Sequence, residues 1–257
     1  MELYKEIPIE WDAPDLLKVL QDEYSIEFAN LELSPVQVDS RPFSSKVPRS
    51  KNNYRHRLEV LGFVDKKHIL DAGCGMGQWS YLMSQMNCQL TAIDQSKHRI
   101  EIAKYLNRNH HNISFLVGNL ETIPFSATFD AIFCYSVFMF TRMQDVLSQF
   151  NKALKQDGII YLNFNDVGYY MHRIMYYTHE VPNEEFVKQF VTMIQNYYQR
   201  NFVSSLMTME VFEHLAKENG FYIEYVGFEG ESAKMPFYIT NFFGFPYINE
   251  VLLRKIY

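Results

Sequence analysis

The residues best placed to do chemistry are ILDAGCGMGQ, at positions 69–78, where a β-rich run that ends in an acid leads through three glycines into a helical pattern. Glycine is needed where the backbone turns with unusual dihedrals and where no Cβ can stand between the chain and a ligand. The pattern therefore predicts a loop on which a small ligand lies. A plain strand-to-helix turn is the alternative.

A second acid, Asp94, follows Gly73 by 21 residues and ends the next β-rich run. In a doubly wound sheet both strand ends face one crevice, where a carboxylate can accept hydrogen bonds from ribose hydroxyls. Two residues favour a cationic adenosyl ligand over a dinucleotide. Gln78 occupies a place where a pyrophosphate loop has a small residue, and Asp71 would repel phosphate but attract an ammonium group.

The elements that position these residues alternate between β-rich runs and helical patterns from Lys67 onward, which is typical of βαβ units. The predicted strands are residues 68–72, 89–94, 113–117, 130–135, 159–163, 221–226 and 247–256. The predicted helices are residues 78–86, 97–107, 144–155 and 208–218, and Gly158 is predicted to stop the third of them. The fold prediction is an α/β, Rossmann-like, doubly wound, mostly parallel seven-stranded sheet.

Four motifs over residues 67–163 resemble, in order and spacing, those of the class I S-adenosylmethionine-dependent methyltransferases. They are ILDAGCGMG, TAIDQS, VGNLETIPF and FDAIFCYSVF. The resemblance implies S-adenosylmethionine as the cofactor, with Asp94 on its ribose and Tyr135 beside its methyl group. The cofactor-binding residues that it implies are Asp71, Ala72, Gly73, Cys74, Gly75, Asp94, Gln95, Asn119, Leu120 and Tyr135.

The chain departs from this family at two motifs. Asn119 stands where an acid usually contacts the adenine amino group, although an amide carbonyl can still accept that hydrogen bond. The fourth motif reads CYSV, where enzymes that methylate amino groups of bases or of glutamine usually carry Asn or Asp, two prolines and an aromatic residue. This departure disfavours nucleic-acid bases and glutamine as methyl acceptors.

A general base is needed when the acceptor is a hydroxyl or a protonated amine, and histidine is the first candidate because its pKa lies near neutrality. His172 and His179 follow the fifth predicted strand among several tyrosines, and they are the predicted catalytic residues together with Tyr170. Each histidine can instead be a packed or surface residue. The adjacent Tyr169 and Tyr170 can alternatively bind an apolar or sugar ring by stacking.

Composition limits the other possibilities. The net charge of -6 argues against broad nucleic-acid affinity, and the three cysteines lack CxxC spacing, so we expect no disulfide framework and no metal. The longest apolar stretch, residues 131–140, is too short to cross a bilayer, and the acidic first residues do not resemble a secretory signal. We therefore expect a cytoplasmic location and no membrane partner.

We expect an N-terminal helical cover segment at residues 1–60, with an amphipathic helix at residues 14–28. A methyltransferase domain at residues 61–257 would carry an inserted lid at about residues 165–206, which includes a helix opened by Pro182. Within the basic stretch at residues 41–57, a solvated linker is the main interpretation and recognition of an anionic group is the alternative.

The predicted function is methyl transfer to a hydroxyl or amine of a small-molecule metabolite, with oxygen ahead of nitrogen, by a monomer or homodimer. The alternatives are a non-catalytic S-adenosylmethionine-binding protein and a protein or tRNA methyltransferase. The acidic composition disfavours a nucleic-acid partner.

Overall fold

The computed structural model describes residues 51–176, 183–200 and 206–256. Its helices are α1 (Lys51–Val60), α2 (Gln78–Ser84), α3 (Lys97–Leu106), α4 (Met143–Ala153), α5 (Val167–Tyr176), α6 (Asn183–Tyr198) and α7 (Met209–Glu218). Its strands are β1 (His68–Ala72), β2 (Gln89–Asp94), β3 (Ile113–Val117), β4 (Phe129–Cys134), β5 (Leu154–Asn165), β6 (Phe221–Phe228), β7 (Asn241–Phe242), β8 (Phe245–Pro246) and β9 (Ile248–Lys255). The helix predicted at residues 14–28 lies outside the described residues.

One sheet holds seven of the described strands in the order β3-β2-β1-β4-β5-β9-β6. Strands β1 to β5 pair in parallel, and β9 runs antiparallel between β5 and β6. The chain order reverses at β1, which pairs with both β2 and β4, and such a reversal opens a crevice at the carboxyl ends of the strands. The predicted Rossmann-like, doubly wound, mostly parallel seven-stranded sheet is confirmed.

Helix α4 ends earlier than the sequence pattern indicates. It stops at Ala153, and Leu154 already belongs to β5, so the prediction that Gly158 stops this helix is wrong. Leu154 pairs with Phe129 of β4, and this pairing with a distant strand overrides the local helical pattern. A Cβ on Gly158 would lie 2.7 Å from the Leu154 side chain, which explains why glycine occupies that position inside the strand.

The chain after β5 contains two elements that the sequence pattern did not reveal. Helix α5 begins two residues after β5 ends, and the β7–β8 hairpin precedes β9 at the same edge of the sheet. The predicted helix after Pro182 is present as α6. Its Phe186 and Phe190 rings stack against Tyr170 of α5, so part of its apolar stripe packs within the protein. The assignment of residues 165–206 as a lid stays a prediction.

The described end of the basic stretch is not a solvated linker. Lys51–Val60 forms helix α1, which packs on α2, and Arg57 within it is completely buried. The linker interpretation is therefore wrong for residues 51–57. Tyr54 and Leu58 are buried in the same apolar cluster as Trp79 of α2, so α1 contributes to the core beneath the sheet.

Helices cover both faces of the sheet. Helices α4 and α7 pack on one face through Phe150 and Phe212, and helices α1 and α2 pack on the other face through Leu58 and Trp79. Burial of both faces explains the nearly continuous apolar runs of the central strands. In the part of the chain that the structure describes, no helix has the length and apolarity needed to span a membrane.

Candidate active site

The glycine loop joins β1 to α2 through three left-handed backbone positions, at Gly73, Gly75 and Gly77, with φ of +80°, +55° and +84°. L-residues other than glycine rarely adopt these dihedrals. A Cβ on Gly73 would overlap with the Val137 side chain, so the protein itself packs closely there. A Cβ on Gly75 would meet nothing within 4 Å, so the space beside Gly75 is open to a ligand.

Asp71 is the buried acid at the mouth of this loop. Its Oδ2 accepts a hydrogen bond from Ser80 Oγ at 2.5 Å, so the first turn of α2 orients the carboxyl group. Burial raises the pKa of Asp71 to about 7, and the nearby Asp94 carboxylate adds to the rise while Ser80 opposes it. A cationic ligand group at this position would relieve the cost of ionising Asp71.

Asp94 ends β2 and links the two sides of the crevice. Its Oδ2 accepts a hydrogen bond from the Gly75 backbone N–H at 3.1 Å, and its Oδ1 accepts one from the Ser96 N–H at 2.9 Å. Arg99 Nη1 lies 4.0 Å from Oδ2. A carboxylate offers about four lone pairs, so Asp94 retains the capacity to accept hydrogen bonds from the two hydroxyls of a ribose.

The predicted adenine-side residues follow β2 and β3 at the same edge. Gln95 is exposed directly after β2, and Asn119 is exposed two residues after β3. Asn119 Oδ1 accepts a hydrogen bond from the Glu121 N–H at 2.9 Å and begins a short 3₁₀ helix whose first residue, Leu120, is buried. The amide carbonyl of Asn119 therefore has a structural partner already, and one lone pair remains for a ligand.

Two predicted cofactor-binding residues are buried beside the loop. Ala72 is fully buried at the end of β1, and Cys74 is 4% exposed within the loop. Burial raises the pKa of the Cys74 thiol well above its ordinary value, and the acids Asp71 and Asp94 contribute, so the thiol remains protonated at neutral pH.

Tyr135 follows β4 and belongs to a buried ionic network. Its Oη donates a hydrogen bond to Glu229 Oε1 at 2.7 Å. The same oxygen accepts a hydrogen bond from Arg57 Nη1 at 2.5 Å, and the Phe237 backbone N–H donates to Glu229 Oε2 at 2.9 Å. Burial alone would lower the pKa of Arg57, but Glu229 and the other network members hold it well above its ordinary value.

The charge of Arg57 is thus neutralised inside the protein. Its Nη2 donates to Tyr161 Oη at 2.9 Å and lies 3.4 Å from Glu250 Oε2, which also accepts a hydrogen bond from Tyr161 at 2.8 Å. The alternative that this residue of the basic stretch recognises an anionic ligand is not supported by these contacts. Arg55, by contrast, forms an exposed ion pair with Glu59.

The three predicted catalytic residues differ in where they lie and in what the structure shows of them. His172 lies on α5, where its Nδ1 is 3.3 Å from Tyr247 Oη, and burial together with Arg173 lowers its pKa. Its neutral form is therefore favoured at neutral pH, as a general base requires. Tyr170 is 8% exposed, and burial raises its pKa. His179 lies outside the described residues, and the catalytic role of all three stays a prediction.

Sequence reasoning missed three residues that the structure brings to this edge of the sheet, Ser80, Glu229 and Asn163, and it placed Arg57 only within the basic stretch. Asn163 is a buried polar residue between Leu162 and Phe164, and its position among apolar residues was an available signal. Glu229 has no local motif, because its partners come from helix α1 and strand β4. In the described ranges, no group of three or more His, Cys, Asp or Glu side chains is arranged to hold a metal ion.

The fold and the loop together define a Rossmann-like domain whose crevice suits an adenosyl ligand. Three observations fit S-adenosylmethionine: open space beside Gly75, a carboxylate at the end of β2, and a buried acid at Asp71 that lacks an ion-pair partner among the described residues. The first accommodates close approach to the backbone, the second suits ribose hydroxyls, and the third suits an ammonium group.

Comparison with known proteins agrees with this assignment. A family model described as a methyltransferase domain matches residues 69–158. The malonyl-[acyl-carrier protein] O-methyltransferase of Halalkalibacterium halodurans is 30% identical over 122 residues, which are 41% of this chain and 44% of that protein. The ubiquinone biosynthesis O-methyltransferase of Pelagibacter ubique is 30% identical over 96 residues, 37% of this chain and 40% of that protein.

Among solved structures, the magnesium protoporphyrin IX methyltransferase of Synechocystis with bound SAH superposes with a TM-score of 0.55. The alignment has 14% sequence identity and covers 80% of this chain and 81% of that one, so it shows the shared fold. This chain spans less than half the length of the two curated relatives described above. Residues 69–158 therefore match a methyltransferase domain, and the chain shares the fold of a solved methyltransferase with bound SAH.

Proposed function

We propose that the protein transfers a methyl group from S-adenosylmethionine to a hydroxyl or amine of a small-molecule metabolite, with oxygen favoured over nitrogen. The observation that carries the proposal is the joint geometry of Gly75, Asp71 and Asp94, where open space borders the backbone between two buried carboxylates. The curated relatives named as O-methyltransferases support oxygen as the acceptor atom.

The bound cofactor supplies an electrophilic methyl group, so the chain's own task is mainly to position the reactants and to exclude water. Asp94 would hold the ribose while Gly75 allows the close approach, and Asp71 would meet the ammonium group. Tyr135 lies at the end of β4 and borders the acceptor side. His172, His179 and Tyr170 are proposed as candidates for proton removal or acceptor contact.

A cytoplasmic location, a monomeric or homodimeric state, and the absence of nucleic-acid and membrane partners remain part of this proposal. The second candidate function is a non-catalytic S-adenosylmethionine-binding protein, and the third is a protein or tRNA methyltransferase. The chain departs from the fourth motif of enzymes that methylate base amino groups, which favours the small-molecule proposal over the tRNA alternative.

The decisive experiment measures binding of S-adenosylhomocysteine and of NAD to the wild-type chain and to Asp94→Ala by calorimetry. We expect binding of S-adenosylhomocysteine alone, weakened at least tenfold in Asp94→Ala, because two charge-assisted hydrogen bonds to the ribose are lost. Asp65→Ala, at an exposed acid before β1, serves as the matched control. Unchanged affinity in Asp94→Ala, or binding of NAD, would refute the cofactor assignment.

A second assay separates the catalytic proposal from the binding-only alternative. The protein is incubated with methyl-labelled S-adenosylmethionine and a small-molecule extract, and labelled products are identified by mass. Labelled small molecules support the proposal. Tight S-adenosylhomocysteine binding without labelled products favours a binding protein, and label on tRNA or protein favours the third candidate.

A further inference from the structure

The paired ends of β4 and β5 bring two polar side chains together on one face of the sheet. Cys134 pairs with Leu162 in parallel register, so the next residues along the two strands, Tyr135 and Asn163, are neighbours on the opposite face from that pair. The Ser136 backbone N–H donates a hydrogen bond to Asn163 Oδ1 at 2.6 Å, which fixes the Asn163 amide beside the chain that carries Tyr135.

These two side chains offer opposite hydrogen-bonding functions. The single proton of Tyr135 Oη is donated to Glu229, so the phenol oxygen can act toward a ligand only as an acceptor. The carbonyl of Asn163 is engaged by Ser136, and its Nδ2 is buried without a hydrogen-bond partner among the described residues. A buried unpaired donor costs about 1 to 3 kcal/mol, so such a group calls for a ligand.

We propose that Tyr135 Oη and Asn163 Nδ2 bind a single neutral oxygen of the methyl acceptor, and that the acceptor group is therefore an alcohol or phenol hydroxyl. A hydroxyl donates one hydrogen bond and accepts others, so it satisfies both groups. An amine must react in its neutral form, and its single lone pair, which attacks the methyl carbon, cannot also accept a hydrogen bond from Asn163 Nδ2. A carboxylate can only accept, and it would face the lone pairs of Tyr135. The inference rests on the proposed methyl transfer.

Glu229 acts here as a positioning residue for Tyr135. Its carboxylate is 2% exposed and is held from three sides, by Tyr135, by Arg57 and by the Phe237 backbone N–H. Glu229 forms a buried ion pair with Arg57, and a hydrogen bond to a carboxylate in such a pair is charge-assisted. The Tyr135 proton is therefore directed away from the acceptor, whose own hydroxyl proton points at the phenol oxygen.

The proton balance of the transfer follows from the same contacts. The hydroxyl oxygen forms the new bond to the methyl carbon as the carbon–sulfur bond breaks, and the sulfur retains the electron pair of that bond. The hydroxyl proton passes to Tyr135 Oη while the phenol proton passes to Glu229. The Trp79 ring packs against Tyr135, with the two ring centroids 5.2 Å apart, and gives the surroundings of the phenol an apolar surface.

The test compares Tyr135→Phe and Asn163→Asp with the wild type, with Tyr222→Phe at an exposed tyrosine of β6 as the matched control. Asn163→Asp keeps an oxygen for the Ser136 N–H and replaces only the donor. Should it fail to fold, Asn163→Ser, which introduces no charge, takes its place. Each protein receives deuteromethyl-labelled S-adenosylmethionine with a small-molecule extract and with two matched probe pairs, phenol with aniline and benzyl alcohol with benzylamine.

We expect every labelled product to carry its methyl group on a former hydroxyl oxygen. Tyr135→Phe and Asn163→Asp should lower turnover at least tenfold while S-adenosylhomocysteine affinity stays within about twofold, because they remove hydrogen bonds to the acceptor alone. Asn163→Asp should also raise turnover of the amine relative to its matched hydroxyl, a specificity change that loss of packing would not produce. Tyr222→Phe should match the wild type.

The outcomes separate the two levels of the proposal. Wild-type transfer to an amine nitrogen would overturn the hydroxyl assignment and leave the proposed function standing, as would normal turnover in both variants. Transfer only to carbon or to a carboxylate would overturn the hydroxyl assignment and also the hydroxyl-or-amine acceptor of the proposed function. Absence of any labelled product despite S-adenosylhomocysteine binding would overturn both proposals.

Discussion

Replacing Asp71 with asparagine should strengthen the fold and weaken cofactor binding at the same time. Asparagine has nearly the same shape as aspartate, and its Oδ1 can still accept the hydrogen bond from Ser80 Oγ. The substitution therefore removes the buried charge and leaves the local packing in place. A gain in stability together with a loss of ligand affinity is the result expected when a buried charge serves the ligand rather than the fold.

The magnitude follows from the pKa of Asp71, which burial raises from 3.8 to about 7. A raised pKa in the folded state means that stability is fully present below pH 3.8 and is lost progressively as the pH rises through 7. Each unit of pKa difference corresponds to about 1.4 kcal/mol, so the full loss is about 4 kcal/mol above pH 7. At pH 5 the loss is smaller, about 2 kcal/mol.

The assay is urea unfolding of the wild type and Asp71→Asn at pH 5 and pH 8, without ligand. We expect the variant's advantage in the free energy of unfolding to grow by about 2 to 3 kcal/mol between these pH values. Asp65→Asn, at an exposed acid, is the control and should show no such growth. An advantage for Asp71→Asn that is equal at both pH values would refute the reasoning.

Asp71→Asn should weaken ligand binding, in contrast to its stabilising effect on the fold. The wild type should bind S-adenosylhomocysteine more tightly as the pH rises from 6 to 8, because Asp71 ionises and pairs with the ammonium group. Asp71→Asn should bind at least tenfold more weakly at pH 8 and should lose this pH dependence. If the variant binds as well as the wild type at pH 8, Asp71 does not meet the ammonium group.

Two further substitutions test the loop and the network. Gly75→Ala should lower the free energy of unfolding by about 1 to 2 kcal/mol through backbone strain and weaken S-adenosylhomocysteine binding. Gly73→Ala should cost more stability, because its Cβ would also overlap Val137; equal losses of stability would contradict the separation of their roles. Arg57→Met should cost about 3 to 5 kcal/mol of unfolding free energy, because it leaves Glu229 buried without its cation. The control Arg55→Met, at an exposed ion pair, should cost at most about 1 kcal/mol. Similar losses in the two variants would contradict the role of the buried network.

The sequence revealed the strands β1, β2 and β3 at their observed bounds because each is a short apolar run between turn residues. It also revealed the glycine loop and Asp94, since both depend on short-range spacing that the doubly wound fold converts into a shared crevice. These features are local in sequence, and the parallel sheet brings them together without further information. The proximity of the glycine loop to Asp94 could therefore be predicted.

The network around Arg57 could not be predicted in the same way. Its partners Glu229 and Glu250 lie 172 and 193 residues further along the chain, so no window of sequence contains the pair. A basic residue among other basic residues indicates an exposed stretch. Arg57 can be buried because its tertiary partners offset the cost of removing its charge from water. The predicted end of α4 was wrong for a related reason. Leu154 pairs with Phe129 of a distant strand, and local propensity does not encode that pairing.

Asn163 shows a third kind of limit. Its position in an apolar strand was visible, but a buried asparagine can serve either structure or ligand binding. The structure divides the two functions within one side chain, because the carbonyl is satisfied by the Ser136 N–H and the amide nitrogen has no described partner. That division depends on the orientation of a side chain, which sequence alone does not define.

The buried acids Asp71 and Glu229 lie at the same edge of the sheet and differ in the source of their counterion. Glu229 receives a cation from the protein itself, at 2.5 Å from Arg57. Asp71 accepts a hydrogen bond from the Ser80 hydroxyl, and among the described residues no cation forms an ion pair with Asp71. Burying an acid without a cation costs stability, so its retention is best explained by a cation that arrives with the ligand. We therefore propose that Asp71, which lacks a cation, faces the cofactor, and that Glu229, which has one, orients Tyr135 toward the acceptor.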